Sequence, residues 1–117
     1  MVKIEDLIVS TLSPLGYPIF RQGSLAEDAP YPEHFFTFYN NAADGDRFYN
    51  NSETVIVWDY DLNFYSIDPE KTHSMLLEAK TLLKKVGFTI TGAGYDVESD
   101  ESTHTGRGIN VFYVQKQ

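Results

Sequence analysis

Apolar and polar positions along this chain recur with two different periods, and the switches between them outline its elements. Ile4, Leu7, Ile8, Thr11, Leu12 and Leu15 fall at three- and four-residue spacing until Pro14 and Gly16 interrupt, predicting a short amphipathic helix over Lys3 to Leu15. Tyr17 to Arg21 predicts a brief strand, and Gln22 to Pro30 a polar connection broken by Gly23, Asp28 and Pro30. From Glu33 to Tyr39 the period changes to two. Phe36 and Phe38 share one face, Phe35 and Tyr39 the other, so this strand is expected to be covered on both sides. Asn40 to Asn51 carries the Asn, Asp and Gly density of a surface loop.

The longest alternation runs from Ser52 to Ser66. Thr54, Ile56, Trp58, Tyr60, Leu62 and Phe64 form the face expected in the core, and Val55, Val57, Asp59, Asp61, Asn63 and Tyr65 form the other. At ~3.3 Å per residue such a strand spans about 45 Å, so a bulge or a projecting end is expected. Asp68 followed by Pro69 is an N-cap with proline in the first helical position. The stripe Met75, Leu76, Ala79, Leu82, Leu83, Val86 continues it as a helix. Lys80, Lys84 and Lys85 complement the helix dipole near its C-terminal end, and Gly87 suits the left-handed position beyond it. Phe88 to Glu98 and Gly108 to Gln115 predict two further strands joined by the acidic, Gly/Ser/Thr-rich stretch Ser99 to Arg107. The sum is one α+β domain over residues 1–117: an antiparallel or mixed sheet, two helices packed chiefly on one face, and long hairpin loops.

Composition narrows the function classes. With 117 residues and 42% hydrophobic positions the chain has enough for one core, and without cysteine it has no disulfide or thiolate site. A formal charge of -8 opposes a nucleic-acid backbone as ligand. The acidic start Met1-Val2-Lys3-Ile4-Glu5-Asp6 lacks the basic region of a signal peptide, and no apolar run reaches the length of a membrane span, so a cytoplasmic protein without membrane contact is expected. Eight phenylalanines and eight tyrosines exceed what so small a core uses. Rings beyond the core favour contacts between subunits, and Phe35, Tyr39, Phe48, Tyr49 and Tyr65 are the candidate interface aromatics.

Motifs for chemistry are sparse. The sequence contains no phosphate-binding glycine loop, no Gly-x-Ser-x-Gly and no His-Glu-x-x-His, and it gives no reason to expect a cofactor, a metal or catalysis. Gly92-Ala93-Gly94 lacks the third glycine of a dinucleotide motif and predicts a bend or bulge. Asp59 and Asp61, two apart on one strand, project together as a possible cation or acid/base pair, or as a solvated or interface-facing strip. His73 sits on the polar side of the second helix; His34 and His104 have no ligand partners nearby in sequence. Asp96, Glu98, Asp100 and Glu101, with Asp44 and Asp46, are the densest charge signal. They suit a solvated hairpin tip, or an acidic ring facing a lumen or a basic partner.

The order of these parts carries a resemblance: an amphipathic helix Lys3 to Leu15, the aromatic strand His34 to Tyr39, and a long strand through Val55-Ile56-Val57-Trp58. A helix Pro69 to Val86 follows, ending Lys84-Lys85-Val86-Gly87-Phe88, and the last hairpin closes on Asn110-Val111-Phe112-Tyr113. In this order nearly the whole chain resembles the small head-tail connector and tail-terminator (tail-completion) proteins of long-tailed bacteriophages. The resemblance implies a non-enzymatic subunit that assembles in the bacterial cytoplasm as a homo-oligomeric ring, commonly a hexamer, at the head-tail junction of the virion. Its implied partners are the tail tube protein and head connector proteins, with DNA passing through the ring unbound. Asp59, Asp61, Asp96, Glu98, Asp100 and Glu101 are then candidates to face a lumen or an interface. The alternatives are a monomeric acidic protein-binding module working through an exposed edge strand and a DNA-mimic inhibitor.

Overall fold

The computed structural model describes residues 3–21, 32–44, 55–99 and 101–116. The first periodic segment forms helix α1 (Ile4–Leu12), which buries Ile4, Ile8 and Leu12 and tightens into a single 3-10 turn at Ser13–Leu15. Strands β1 (Ile19–Arg21), β2 (His34–Asp44) and β3 (Val55–Ser66) follow, then helix α2 (Pro69–Lys85) and strands β4 (Thr89–Ile90), β5 (Tyr95–Val97) and β6 (Thr105–Lys116). The sheet runs β1-β2-β3-β6-β4, with β5 also on β6. β1 pairs parallel to β2 and every other pairing is antiparallel, so the sheet is mixed and the fold is α+β.

Both helices lie on one face. There Phe36 and Phe38 from β2, Tyr60, Leu62 and Phe64 from β3, Ile90 from β4, and Ile109 and Val111 from β6 meet Ile8 and Leu12 of α1 and Leu76, Ala79 and Leu83 of α2. Each large apolar side chain withdrawn from water here contributes ~1.5–3 kcal/mol. Helix α2 begins as its sequence requires, the Asp68 carboxylate accepting from the Glu70 amide at 3.1 Å. It ends at Gly87, whose φ of 108° is the left-handed conformation that terminates helices.

Three sequence expectations are corrected. Asn40 to Asp44 is not loop: β2 continues through it against β3, because ladder pairing outweighs the weak strand preference of Asn and Ala. The remainder of that stretch lies outside the described residues. Of the bulge or projecting end expected for the long strand, the bulge is not in β3, which pairs with β6 without interruption from Val55 to Ser66, but in its neighbour between Asn40 and Ala42; Ser52 to Thr54 lie outside the described residues. Phe88 to Glu98 is not one strand. Gly92 and Gly94, both with positive φ, bend the chain between β4 and β5, and β6 starts at Thr105, three residues before Gly108.

Candidate functional site

Strand alternation gives the sheet a second face, opposite the helices, and most of the candidate residues stand on it. Cross-strand partners share a face, so the register places Phe20, Phe35, Thr37 and Tyr39 there with Tyr65, Asn63, Asp61 and Asp59. Gly106, Gly108, Asn110 and Phe112 of β6 and Tyr95 and Val97 of β5 complete it. No described helix covers this outer face.

Its two ends differ. At one end Phe35, only 3% exposed, stacks on Tyr65 at 5.2 Å and meets Phe20 at 5.9 Å and His104 at 6.0 Å edge-on. Phe35 is thus covered within the subunit, and Tyr65 is half-buried beside it. Towards the middle, Tyr39 is 51% exposed and Tyr95 42%. Phe48 and Tyr49 lie outside the described residues. Of the double cover expected for β2, the helix side is complete and the outer side is complete only around Phe35. Among the described residues, Thr37 Oγ1 and Asn63 Oδ1, on register-paired residues of this face, are buried and have no hydrogen-bond partner.

The aspartate pair is clamped by a residue that sequence reading did not single out. The Asn110 amide nitrogen donates to Asp59 Oδ1 at 2.7 Å and to Asp61 Oδ1 at 3.1 Å, with the Tyr60 carbonyl at 3.3 Å. Asn41 adds a bond to Asp59 at 3.3 Å, and the Tyr95 hydroxyl donates to Asp61 at 3.0 Å. Neutral donors hold both carboxylates, and no cation pairs with either among the described residues. Two negative charges therefore face outward from mid-sheet. Among the described residues, no group of three or more Asp, Glu or His side chains is arranged to hold a metal ion.

The other candidate acids lie apart from this pair. Asp96 turns to the helix side of its strand, where Arg107 meets it at 3.0 Å. Glu98 and Glu101 are exposed near the tip of the β5–β6 hairpin, and Asp100 lies outside the described residues. The six acids do not form one cluster. Of the histidines, His104 Nε2 donates to the Pro32 carbonyl at 2.8 Å, which leaves its Nδ1 to accept from Thr103 Oγ1 at 3.0 Å. His34 Nδ1 lies 2.7 Å from Ser66 Oγ, and His73 is exposed on α2.

On the helix side a cavity of about 350 Å³ opens beside the start of α1, lined by Lys3, Ile4, Glu5, Asp6, Arg21, Trp58 and Tyr60. Several of its polar groups are already hydrogen-bonded. Glu5 takes the Arg21 guanidinium at 3.0 Å and the Tyr60 hydroxyl at 3.1 Å, while Trp58 Nε1 donates to Gln115 at 3.2 Å. A second groove of about 240 Å³ runs between α2 and the sheet, lined by His73, Leu76, Leu77, Lys80, Ala93 and Ile109.

Two phenols are perturbed. Burial, then the bond to Asp61 and the charges of Asp61 and Asp59, push the Tyr95 pKa up to about 12. Burial, reinforced by the Glu5 charge and hydrogen bond, raises Tyr60 well above the usual phenol range. A folded-state pKa above the unfolded value near 10 means the unfolded chain releases these protons first. Their stabilisation is complete below that pH and is lost as pH rises through the folded values. The urea midpoint is therefore expected to fall from pH 10 towards pH 12, less steeply in Tyr60→Phe and in Tyr95→Phe. A slope left unchanged by both substitutions would contradict this assignment.

No protein-family model matches the chain, and no curated protein matches it. Among the described residues, no helix is long and apolar enough to cross a membrane.

Proposed function

We propose that this chain is a structural subunit of a bacteriophage head-tail joint, a tail-terminator type of protein that acts as a ring on the head-proximal end of the tail tube and docks to the head connector. The observation that carries this reading is the outer face of the sheet, which no described helix covers. A sheet whose described helices all lie on one side, with exposed tyrosines and two outward carboxylates on the other, offers a broad contact surface. The order of elements supports it: an amphipathic helix, long paired strands, a second helix and a closing hairpin. The acidic balance supports it too, since a ring with a net charge of -8 per subunit does not retain DNA moving through it.

Docking of an extended peptide along a strand edge has less support. Among the described residues the flanking strands β1, β4 and β5 have three, two and three residues, and the edge of β2 that β1 leaves uncovered, residues 39–44, carries an irregularity between Asn40 and Ala42 that opposes a long regular ladder. In the ring reading, light scattering across a concentration series gives a discrete multiple of the 13.3 kDa subunit, and electron microscopy shows closed rings. A monomeric mass at every concentration, with no rings and no binding to purified tail tubes, overturns it.

A further inference from the structure

A chain with a net charge of -8 repels its own copies, so a contact between copies gains most where it brings together surfaces of opposite sign. The described residues carry one such pair of surfaces. The acidic one is the outer sheet face, where Asp59 and Asp61 point outward without a cationic partner and Tyr39, cross-strand from Asp61, is 51% exposed. The basic one lies on α2. Lys80, Lys84 and Lys85 are three of the nine basic residues in the whole chain, and Lys84 and Lys85 have no ion-pair partner among the described residues.

Leu77, Lys80 and Lys84 form one ridge of α2, with Leu77 65% exposed. Glu78 stands about 100° round the helix from Leu77 and so off this ridge. The groove under the ridge has an apolar lining from Leu76, Ala93 and Ile109. Spacing matches as well as sign. Residues two apart on a strand are separated by ~6.6 Å, and residues four apart on a helix by ~6 Å, so Asp59 and Asp61 are spaced like Lys80 and Lys84.

We propose that the outer sheet face of one copy docks on α2 of the next. In this contact Asp59 and Asp61 pair with Lys80 and Lys84, and Tyr39 enters the groove beside Leu77. The two patches are different surfaces of one chain, so the contact is heterologous, the type that closes into rings. It lays a helix on the sheet face that no described helix of the same subunit covers. The inference rests on the ring-subunit reading and specifies its contact.

The test reverses each patch separately and then both together, with mass and ring formation as readouts and circular dichroism as the check on folding. Asp59→Lys with Asp61→Lys leaves two basic patches; Lys80→Glu with Lys84→Glu leaves two acidic ones. Each variant alone is expected to remain at the monomer mass under conditions where the wild-type chain forms rings. A chain carrying all four changes, or an equal mixture of the two variants, restores opposite signs at every contact and is expected to regain rings. If the aspartate variant fails to fold because Asn110 and Tyr95 lose their acceptors, Lys80→Glu with Lys84→Glu and the exposed change Tyr39→Ser decide the matter.

Wild-type rings that survive Lys80→Glu with Lys84→Glu overturn this contact and leave the ring reading standing. Folded single-patch variants that lose rings without recovery in the four-change chain overturn the charge pairing. A dimer abolished by the aspartate changes and indifferent to the lysine changes marks a face-to-face pair and also overturns the proposal. A wild-type chain that never self-associates, alone or on purified tail tubes, overturns this contact, and the ring reading falls with it only if the chain also fails to bind the tubes.

Discussion

Replacing Phe64 with alanine is expected to lower stability by about 3–5 kcal/mol, the usual cost of emptying a buried aromatic site. Phe64 is 0% exposed and sits where the layers converge, 4.6 Å ring to ring from Phe36 and 5.5 Å edge-on from Tyr17. Tyr17 is itself held by the Lys71 ammonium at 3.0 Å, so the cavity would open where β1, β2, β3 and α2 share one cluster. Small domains unfold with ΔG of ~5–15 kcal/mol and urea slopes of ~1–3 kcal/mol per molar, so the urea midpoint should fall by ~1–5 M. Leu77→Ala, at a 65% exposed position, is the internal comparison and should shift the subunit's stability by no more than ~0.5 kcal/mol. Equal shifts for the two variants would show that the cluster around Phe64 does not hold the layers together.

Such a core was legible in the sequence because the periods that define it are long. Tyr60, Leu62 and Phe64 alternate without a break, and α2 carries its own N-cap, first-turn proline, apolar stripe and terminal glycine. Each of these is a local signal with one interpretation. Asn40 to Asp44 carried the opposite local signal, yet it is strand, because its partner β3 supplies a full ladder that no local pattern announces. The outer face was only half legible. Period two places Asp59 and Asp61 together, but their clamp, Asn110, lies about fifty residues away and meets them only through the β3–β6 register. Phe35 and Tyr39 share a face in sequence and differ in fate. Phe35 is roofed by Tyr65, Phe20 and His104, three side chains whose arrival depends on register and on the closing hairpin.

The acids separate for the same reason. A charge run in sequence becomes a surface patch only if alternate residues are not sent to opposite faces, and Asp96 faces Arg107 while its neighbour Tyr95 reaches across the outer face to Asp61. What remains on the open face is smaller than the sequence suggested and better organised: one aspartate pair, one asparagine clamp and two exposed tyrosines. Composition registered the surplus of rings and the surplus of acids. Only pairing shows which of them share a surface, and it leaves the helix side with the basic ridge.

Gly106→Val should also destabilise, by ~1–3 kcal/mol, against the direction that strand preference alone would give. Gly106 is buried in β6, and a Cβ there would stand 2.6 Å from Tyr65 Cε1, 2.8 Å from Tyr65 Cδ1 and 2.8 Å from Val97 Cγ2. Tyr65 is held flat on Phe35, with the ring planes 28° apart, so pushing it aside uncovers the one aromatic of the outer face that is buried. The loss should therefore appear both in the urea midpoint and as a weakened near-ultraviolet aromatic signal. The mechanism has a sharper signature in a double-mutant cycle. In a Tyr65→Ala background the clash is largely gone, so Gly106→Val should cost less than half of what it costs alone. Equal costs in the two backgrounds would place the damage in the backbone of β6, and a gain in stability from Gly106→Val alone would show that the ring yields freely.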